Sequence, residues 1–174
     1  VVRDVPLREE LGWLPDLADI RAAITPRTKL VTFCTPNNPT GRVIPAGLLQ
    51  EIVALARRHG LWLHSDEVYK GAEYGTQEAP SLADLYEKSI VTNGLSKAMA
   101  MPGLRIGWLV GPATEIYAAW QRKDYTSITT ASVSEIVARL VLQPERRKKV
   151  LARSRDLLAG NVARIVDWVA AGDG

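Results

Sequence analysis

Three short polar segments stand out in this sequence because each one follows a stretch that is predicted to be a β-strand. The segments are Thr35-Pro36-Asn37-Asn38-Pro39-Thr40-Gly41, Asp66-Glu67-Val68-Tyr69, and Gly94-Leu95-Ser96-Lys97 with Pro102-Gly103-Leu104-Arg105 just beyond it. In an open parallel sheet, ligands bind outside the carboxyl ends of the strands, which share one edge. The three segments are therefore predicted to meet in one crevice that contains Asn, Asp, Tyr, Lys and Arg side chains.

Each of these residues, taken alone, has an ordinary structural explanation. Asn38 between two prolines is typical of a turn, and Asp66 at a strand end is typical of a helix N-cap. A lone Lys97 is typical of a solvated surface, and a lone Arg105 is typical of a partner for a carboxylate. The order in which the segments occur favours one shared site over four separate structural roles.

The order of the segments resembles the signature of the class I/II aminotransferases, which belong to the aspartate aminotransferase superfamily of fold-type I pyridoxal 5'-phosphate (PLP) enzymes. The resemblance is carried by Asn-Asn-Pro-Thr-Gly at 37–41, Asp-Glu-Val-Tyr at 66–69, and Ser-Lys at 96–97 followed by Pro-Gly-Leu-Arg-Ile-Gly-Trp at 102–108. It implies an α/β fold, the three-layer large domain of a PLP-dependent transferase, with a mostly parallel sheet, one antiparallel strand and helices on both faces.

The resemblance also implies a role for five residues, of which Lys97, Asp66 and Tyr69 are the predicted catalytic ones. Lys97 would form the Schiff base with PLP and move a proton at the substrate Cα. Asp66 would keep the pyridine nitrogen protonated. Tyr69 and Asn38 would donate hydrogen bonds to the ring oxygen, and Arg105 would pair with the phosphate. The implied reaction transfers an amino group between an amino acid and a 2-oxo acid, in a cytoplasmic homodimer.

One position departs from the family pattern. The family often has Ser or Thr three residues before the lysine, where the hydroxyl holds the phosphate, and this sequence has Gly94 there. The candidates to replace that hydroxyl are Thr92, Asn93, Ser96 and backbone amides.

Several features of the family are not found in the sequence: the glycine-rich phosphate turn, the aromatic residue that stacks on the cofactor, and the arginine that binds the substrate carboxylate. We therefore expect a fragment that is inactive alone. Residues 1–143 are predicted to be the C-terminal part of the PLP-binding large domain. Residues 144–174 are predicted to be a long helix that leads into a small C-terminal domain and exposes an apolar stripe.

The elements that must position the site alternate along the chain. Strands are predicted at 30–34, 61–64, 89–92 and 105–110, and helices at 16–24, 45–59, 113–123, 132–142 and 144–169. The first strand is apolar and is predicted to be buried. A strand, a helix and a strand in this order form a βαβ unit with parallel strands. The segment between the third and fourth strands is too short for a crossover helix, so the fourth strand is predicted to run antiparallel.

Composition excludes several other classes of protein. The 174 residues are 47% hydrophobic with a net charge of +3, which argues against a disordered chain. No apolar run approaches the ~18 residues of a membrane span. The single cysteine, Cys34, excludes an internal disulfide. The basic cluster between Arg146 and Arg155 lacks interleaved aromatic residues, so we interpret it as a solvated helix face and expect no nucleic-acid or membrane partner.

Other chemistries remain as alternatives. A metal site built from Cys34, His64 and Asp66 is not expected, because His64 is predicted to be a packed core histidine. A relative with the same lysine and another outcome is the main alternative: a lyase, cyclase or oxidase, including one that acts on an arginine-like substrate. A domain that keeps the fold without catalysis is the last alternative, and the intact set of five cofactor-facing residues argues against it.

Overall fold

The computed structural model describes residues 1–73 and 78–172, in which strands and helices alternate as the sequence predicts. The strands are β1 (Leu30–Cys34), β2 (Trp62–Asp66), β3 (Ser89–Gly94) and β4 (Gly107–Val110). The α-helices are α1 (Leu17–Ala23), α2 (Ala46–His59), α3 (Ala113–Lys123), α4 (Ser132–Val141) and α5 (Pro144–Ala170). The predicted elements are therefore present, with ends that differ by one or two residues.

The strands form one sheet in the order β1-β2-β3-β4. The β1–β2 and β2–β3 pairs are parallel, and the β3–β4 pair is antiparallel. Residues 95–106, which connect β3 to β4, contain one turn of 3-10 helix at Pro102–Leu104 and no crossover helix. The prediction of a mostly parallel sheet with one antiparallel strand is confirmed.

The prediction that the first strand is buried is wrong in part. Within the described residues β1 pairs with β2 alone, on one side. Leu30 is 50% exposed and Thr32 is also exposed. Apolar composition alone could not separate a central strand from one at the edge of this sheet.

Helix α2 ends in a Schellman motif, which sets the start of β2. Gly60 adopts a left-handed conformation with φ of 64°. Its N–H donates to the Arg57 carbonyl at 3.3 Å, and the N–H of Leu61 donates to the Ala56 carbonyl at 3.0 Å. Because the Leu61 amide belongs to this turn, β2 begins at Trp62 and not at Leu61 as predicted.

The two faces of the sheet have different environments because successive side chains of a strand point to opposite sides. Leu63, Ser65 and Val91 are buried on one face, where α2 contributes Leu49 and Ile52 to the same apolar cluster. His64, Asp66 and Thr92 lie on the opposite face and are half-buried. The polar residues of interest are therefore on the face opposite to α2.

A second apolar cluster fixes the chain after β3. It contains Leu95, Ala98 and Met99 from the β3–β4 connection, Ala138 from α4 and Leu151 from α5. All five are nearly inaccessible, with exposed fractions of 6% or less. This cluster joins the carboxyl end of β3 to the two helices that follow much later in the chain.

Helix α5 carries the predicted apolar stripe, and most of the stripe is exposed. Leu151 is buried in the second cluster, whereas Leu157, Ile165 and Val169 are 64%, 58% and 60% exposed. Neither α5 nor another helix of the described residues is long and apolar enough to cross a membrane.

Candidate active site

The loop after β1 holds Asn38 at the crevice. The Oγ1 atom of buried Thr35 accepts a hydrogen bond from the Ile44 amide at 3.0 Å. Deeper in the loop, the N–H of Asn37 donates to the carbonyl of Arg42 at 2.8 Å. These contacts join the two sides of the loop, so that Asn38 lies exposed at its tip.

Tyr69 connects two of the three polar segments. Its Oη atom accepts a hydrogen bond from Asn38 Nδ2 at 3.1 Å, across a separation of 31 residues. The Nζ atom of Lys97 lies 5.9 Å from the centroid of the Tyr69 ring. The structure therefore brings together one predicted residue from each segment.

Asp66 is the last residue of β2 and is held through one of its two carboxylate oxygens. Oδ1 accepts hydrogen bonds from the Val68 amide at 3.1 Å and from the Thr92 hydroxyl at 3.2 Å. Oδ2 accepts no hydrogen bond from the described residues. The carboxylate is thus fixed in orientation and keeps one oxygen available to a ligand.

Lys97 is exposed, but its backbone is anchored on both sides. Leu95 before it and Ala98 and Met99 after it are buried in the second apolar cluster. A turn closes around it, since the Ala100 amide donates to the Lys97 carbonyl at 2.9 Å. This arrangement places an exposed amine on a backbone segment that is held on both sides.

Arg105 is not joined to the other four predicted residues. It is exposed, and its guanidinium donates to the Pro102 carbonyl at 3.1 Å. Its backbone has a φ of 52°, which closes the 3-10 turn before β4. Arg105 follows the lysine segment along the chain, but it makes no hydrogen bond to Asn38, Asp66 or Lys97.

The glycine at position 94 is explained by the close approach of β4. A Cβ atom at Gly94 would lie 2.8 Å from the Ile106 carbonyl oxygen and 3.2 Å from Gly107 Cα. Both neighbours are backbone atoms, so a Ser or Thr at this position would displace the strand. The Thr92 hydroxyl already donates a hydrogen bond to Asp66. Ser96, which is half-buried beside Lys97, is the remaining hydroxyl among the proposed substitutes.

A cleft of about 470 Å³ opens beside the Asn38 loop. Its lining includes Asn37, Asn38, Val43, Tyr69 and Ala72. The two hydrogen-bonded side chains, Asn38 and Tyr69, thus face a space large enough for a small organic ligand.

Cys34 lies opposite Asp66 in the β1–β2 pair but does not form a reactive centre. Burial is the main factor that raises the pKa of the Cys34 thiol, a backbone hydrogen bond from Asn38 opposes it, and the charge of Asp66 raises it further. The protonated thiol donates to the Pro36 carbonyl at 3.1 Å. Among residues 1–73 and 78–172, no group of three or more His, Cys, Asp or Glu side chains is positioned to hold a metal ion.

The prediction that His64 is a packed core histidine is wrong. The ring is half-buried, and both of its nitrogens are hydrogen-bonded: Nδ1 to Thr32 Oγ1 at 2.7 Å and Nε2 to Thr92 Oγ1 at 3.2 Å. His64 precedes Asp66 by two residues, so strand alternation places both on the same face. That alternation is the sequence signal that could have identified His64 as part of the site.

The comparisons with known proteins assign the family. The family model "Aminotransferase class I and II" matches residues 1–172. The chain belongs to the class I and II aminotransferase family.

Individual relatives agree with that assignment. The chain is 47% identical over 104 residues to a glutamate–pyruvate aminotransferase of Escherichia coli K12, covering 59% of this chain and 26% of the relative. It is 34% identical over 173 residues to an aspartate aminotransferase of Streptomyces avermitilis, covering 90% of this chain and 42% of the relative. The chain therefore spans less than half the length of these relatives.

A solved structure confirms the predicted fold. The crystal structure of a PLP-dependent aminotransferase from Streptococcus suis superimposes with a TM-score of 0.87 at 36% identity. The match covers 95% of this chain and 43% of the other. The predicted α/β fold class, that of the PLP-dependent transferases, is thus confirmed.

Proposed function

We propose that this chain provides the cofactor-binding part of a PLP-dependent aminotransferase, which transfers an amino group from an amino acid to a 2-oxo acid. The observation that carries the proposal is the meeting of Asn38, Tyr69 and Lys97 at the sheet edge where Asp66 ends β2. Family membership supports the same reaction class.

The chemistry of these side chains fits PLP. Asp66 has one oxygen bound by the protein and one available, as an acceptor for a protonated ring nitrogen requires. Asn38 uses one amide hydrogen on Tyr69, which leaves its second amide hydrogen and the Tyr69 hydroxyl hydrogen free. Both can donate to the ring oxygen of the cofactor. Lys97 supplies the primary amine.

Each of these residues has a separate role in the proposed reaction. Bound PLP supplies an aldehyde that bonds covalently to a primary amine and a ring that stabilises negative charge at the substrate Cα. Lys97 Nζ would attach the cofactor and, as a free amine, would take the proton from the substrate Cα. Asp66 would hold the proton on the ring nitrogen. Arg105 and Ser96 are the candidates for the phosphate, Arg105 after its guanidinium leaves the Pro102 carbonyl.

We further propose that these residues act within a longer protein. Residues 1–143 correspond to the C-terminal part of a large domain and residues 144–174 to a helix that leads into a small domain. The support is the share of each relative that the chain covers, which is 42% of one relative and 43% of the solved structure.

The family resemblance also supports a homodimer that works in the cytoplasm, where amino acids and 2-oxo acids are metabolised. Sedimentation of the full-length protein tests the dimer, and a fully active monomer would contradict it.

The attachment of the cofactor can be tested with two lysine variants of the full-length protein. Borohydride reduction followed by peptide mapping is expected to place the pyridoxyl group on Lys97, and Lys97→Ala should abolish that labelling. Lys70 is the matched control, because its ammonium is already held by Glu78 at 3.5 Å and by the Ala79 carbonyl. Lys70→Ala should keep the label, and a pyridoxyl group on Lys70 in the parent protein would refute the proposed site.

The reaction class can be tested by following nitrogen. An amino acid labelled with ¹⁵N is expected to pass the label to a second amino acid made from an added 2-oxo acid, one for one. Release of the label as ammonia would indicate a lyase or an oxidase and would contradict transamination.

A further inference from the structure

A continuous chain of hydrogen bonds crosses three strands and ends on Asp66. Thr32 on β1 contacts His64 on β2, with 2.7 Å between Oγ1 and Nδ1. His64 Nε2 lies 3.2 Å from the Oγ1 atom of Thr92 on β3, which donates to Asp66 Oδ1 at 3.2 Å. We refer to these four residues as the threonine–histidine chain.

The strand register accounts for this chain. Thr32 lies opposite His64 in the β1–β2 pair, and Thr92 lies opposite Asp66 in the β2–β3 pair. All four side chains share the sheet face opposite to α2, because His64 and Asp66 are two residues apart on one strand. The contacts thus follow from the parallel pairing of three strands and do not depend on a loop.

The donors and acceptors can be ordered in one direction. Asp66 as a carboxylate can only accept, so the Thr92 hydroxyl must donate to it and can then accept from His64 Nε2–H. A neutral His64 with its proton on Nε2 has a free acceptor at Nδ1, which receives the Thr32 hydroxyl. Each hydrogen in the chain has one defined place.

We propose that His64 and Thr92 are positioning residues for the cofactor, and that they act through Asp66. This inference rests on the proposed function. By occupying Oδ1, the threonine–histidine chain fixes the rotation of the carboxylate and directs Oδ2 to the ring nitrogen of PLP. A hydroxyl that is itself hydrogen-bonded to His64 Nε2–H is held in place and is a stronger donor than an isolated one.

The central test replaces Thr92 in two ways. Thr92→Val keeps the shape and the β-branch but removes the hydroxyl, and Thr92→Ser keeps the hydroxyl. In the full-length protein, Thr92→Val is expected to weaken PLP binding by about tenfold, the effect of one lost hydrogen bond to a charged group. Thr92→Ser should stay within about threefold of the parent, because it restores the donor.

A second readout needs no cofactor. The ¹⁵N shifts of the His64 ring in the apoprotein report which nitrogen carries the proton. The parent protein and Thr92→Ser are expected to show the Nε2–H form, and Thr92→Val a mixture of both tautomers. Because this measurement is independent of PLP, it separates the inference from the proposed function, which the borohydride label on Lys97 tests.

The outcomes decide between a positioning role and a merely structural one. Equal loss of PLP binding in Thr92→Val and Thr92→Ser would overturn the inference, since the hydroxyl would then be irrelevant. Unchanged binding or an unchanged His64 tautomer in Thr92→Val would also overturn it. The urea midpoint of Thr92→Val is measured alongside, and a value close to that of the parent excludes misfolding as the cause.

Discussion

Asp66 and Glu67 are adjacent carboxylates with opposite roles. Asp66 is half-buried, and one of its two oxygens accepts no hydrogen bond from the described residues. Glu67 is 2% exposed, and it accepts hydrogen bonds from the Ser81 hydroxyl and the Leu82 amide, each at 2.9 Å. Because side chains alternate at the end of a strand, the two carboxylates point to opposite faces of the sheet, and Glu67 holds the segment that leads back to β3.

Glu67→Gln is predicted to lower the stability of the fold. The amide keeps the shape of the side chain and can point its oxygen at the Leu82 N–H, but its NH₂ group then faces Ser81 Oγ, and the Ser81 hydroxyl hydrogen loses its acceptor. A buried donor left without an acceptor costs about 1–3 kcal/mol, so we expect the free energy of unfolding to fall by about that amount. Urea denaturation followed by circular dichroism measures it.

The matched control is Glu87→Gln. The Glu87 carboxylate pairs with Arg57 at 2.8 Å, but both side chains are well exposed, at 66% and 55%. Water screens and replaces such a pair, so little change in the urea midpoint is expected. Equal losses in the two variants would show that the burial of Glu67 is not what matters.

The site residues that the sequence predicts are those whose chemistry is marked by a motif. Asn38, Asp66, Tyr69 and Lys97 each end a strand or follow one in a known order, and topology then places them at one edge. His64 carries no motif of its own, so its role depended on which residues of β1 and β3 lie opposite it. That register is a tertiary property, and Thr32 and Thr92 lie 32 and 28 residues away along the chain.

At the scale of elements, helix ends were predicted well because local residue types determine them. Pro45 precedes α2 and Gly60 follows it, as the sequence indicates. The connection between β2 and β3 was less predictable. Its described residues contain a 3-10 turn at Leu82–Asp84 and no α-helix. The buried carboxylate of Glu67 holds this connection by hydrogen bonds, whereas a crossover helix would be held by its apolar face.

A pair of glycines in and after α2 gives a prediction at this scale. Gly60 has φ of +64° with open space around it, so Gly60→Ala meets no clash and reports conformation alone. We expect it to lower the free energy of unfolding by about 1 kcal/mol, the cost of a left-handed alanine. Thermal or urea unfolding of the chain measures the change.

Gly47 is the control for Gly60, because it also has open space around it but lies within the helix. Gly47→Ala should raise stability by up to about 1 kcal/mol, since alanine favours the helical state. The two substitutions add the same methyl group and are expected to have opposite signs. A loss in both would indicate that the helix is not formed as described.

At the scale of the whole molecule, the second apolar cluster was the least predictable feature. It joins Leu95, Ala98 and Met99, which lie in a connection that forms no α-helix, to Ala138 and Leu151 on helices far along the chain. The periodicity of α5 identified its apolar stripe correctly. It could not show that Leu151 is buried while Leu157 stays 64% exposed.

The alkaline limit of global stability is predicted to depend on Tyr86. Its hydroxyl donates to the Leu61 carbonyl at 2.8 Å within the first apolar cluster. Burial is the main factor that raises the pKa of Tyr86 above its ordinary value of 10.0, and Glu87 adds to it. A raised pKa in the folded state means that the contribution to stability is complete below about pH 10 and is lost as the pH rises through the folded value.

Tyr86→Phe is therefore expected to lower the free energy of unfolding by about 1 kcal/mol at pH 8 and to flatten its decline above pH 10. Urea denaturation at several pH values measures both effects. Tyr125→Phe is the control, because that ring is 91% exposed and its hydroxyl supports no core contact. A decline as steep in Tyr86→Phe as in the parent would assign the alkaline limit to another group, such as the half-buried Cys34 thiol.

The sheet order has a consequence for how the chain is made. Its strands lie side by side in the order in which they are synthesised, from β1 to β4. Each new strand thus meets its partner already present on the emerging chain, and the loops to be closed remain short. The βαβ unit formed by β1, α2 and β2 can bury Leu49 and Leu63 before Lys97 has left the ribosome. The strands that end at the proposed crevice can therefore pack before Lys97, the amine proposed to act there, has been synthesised.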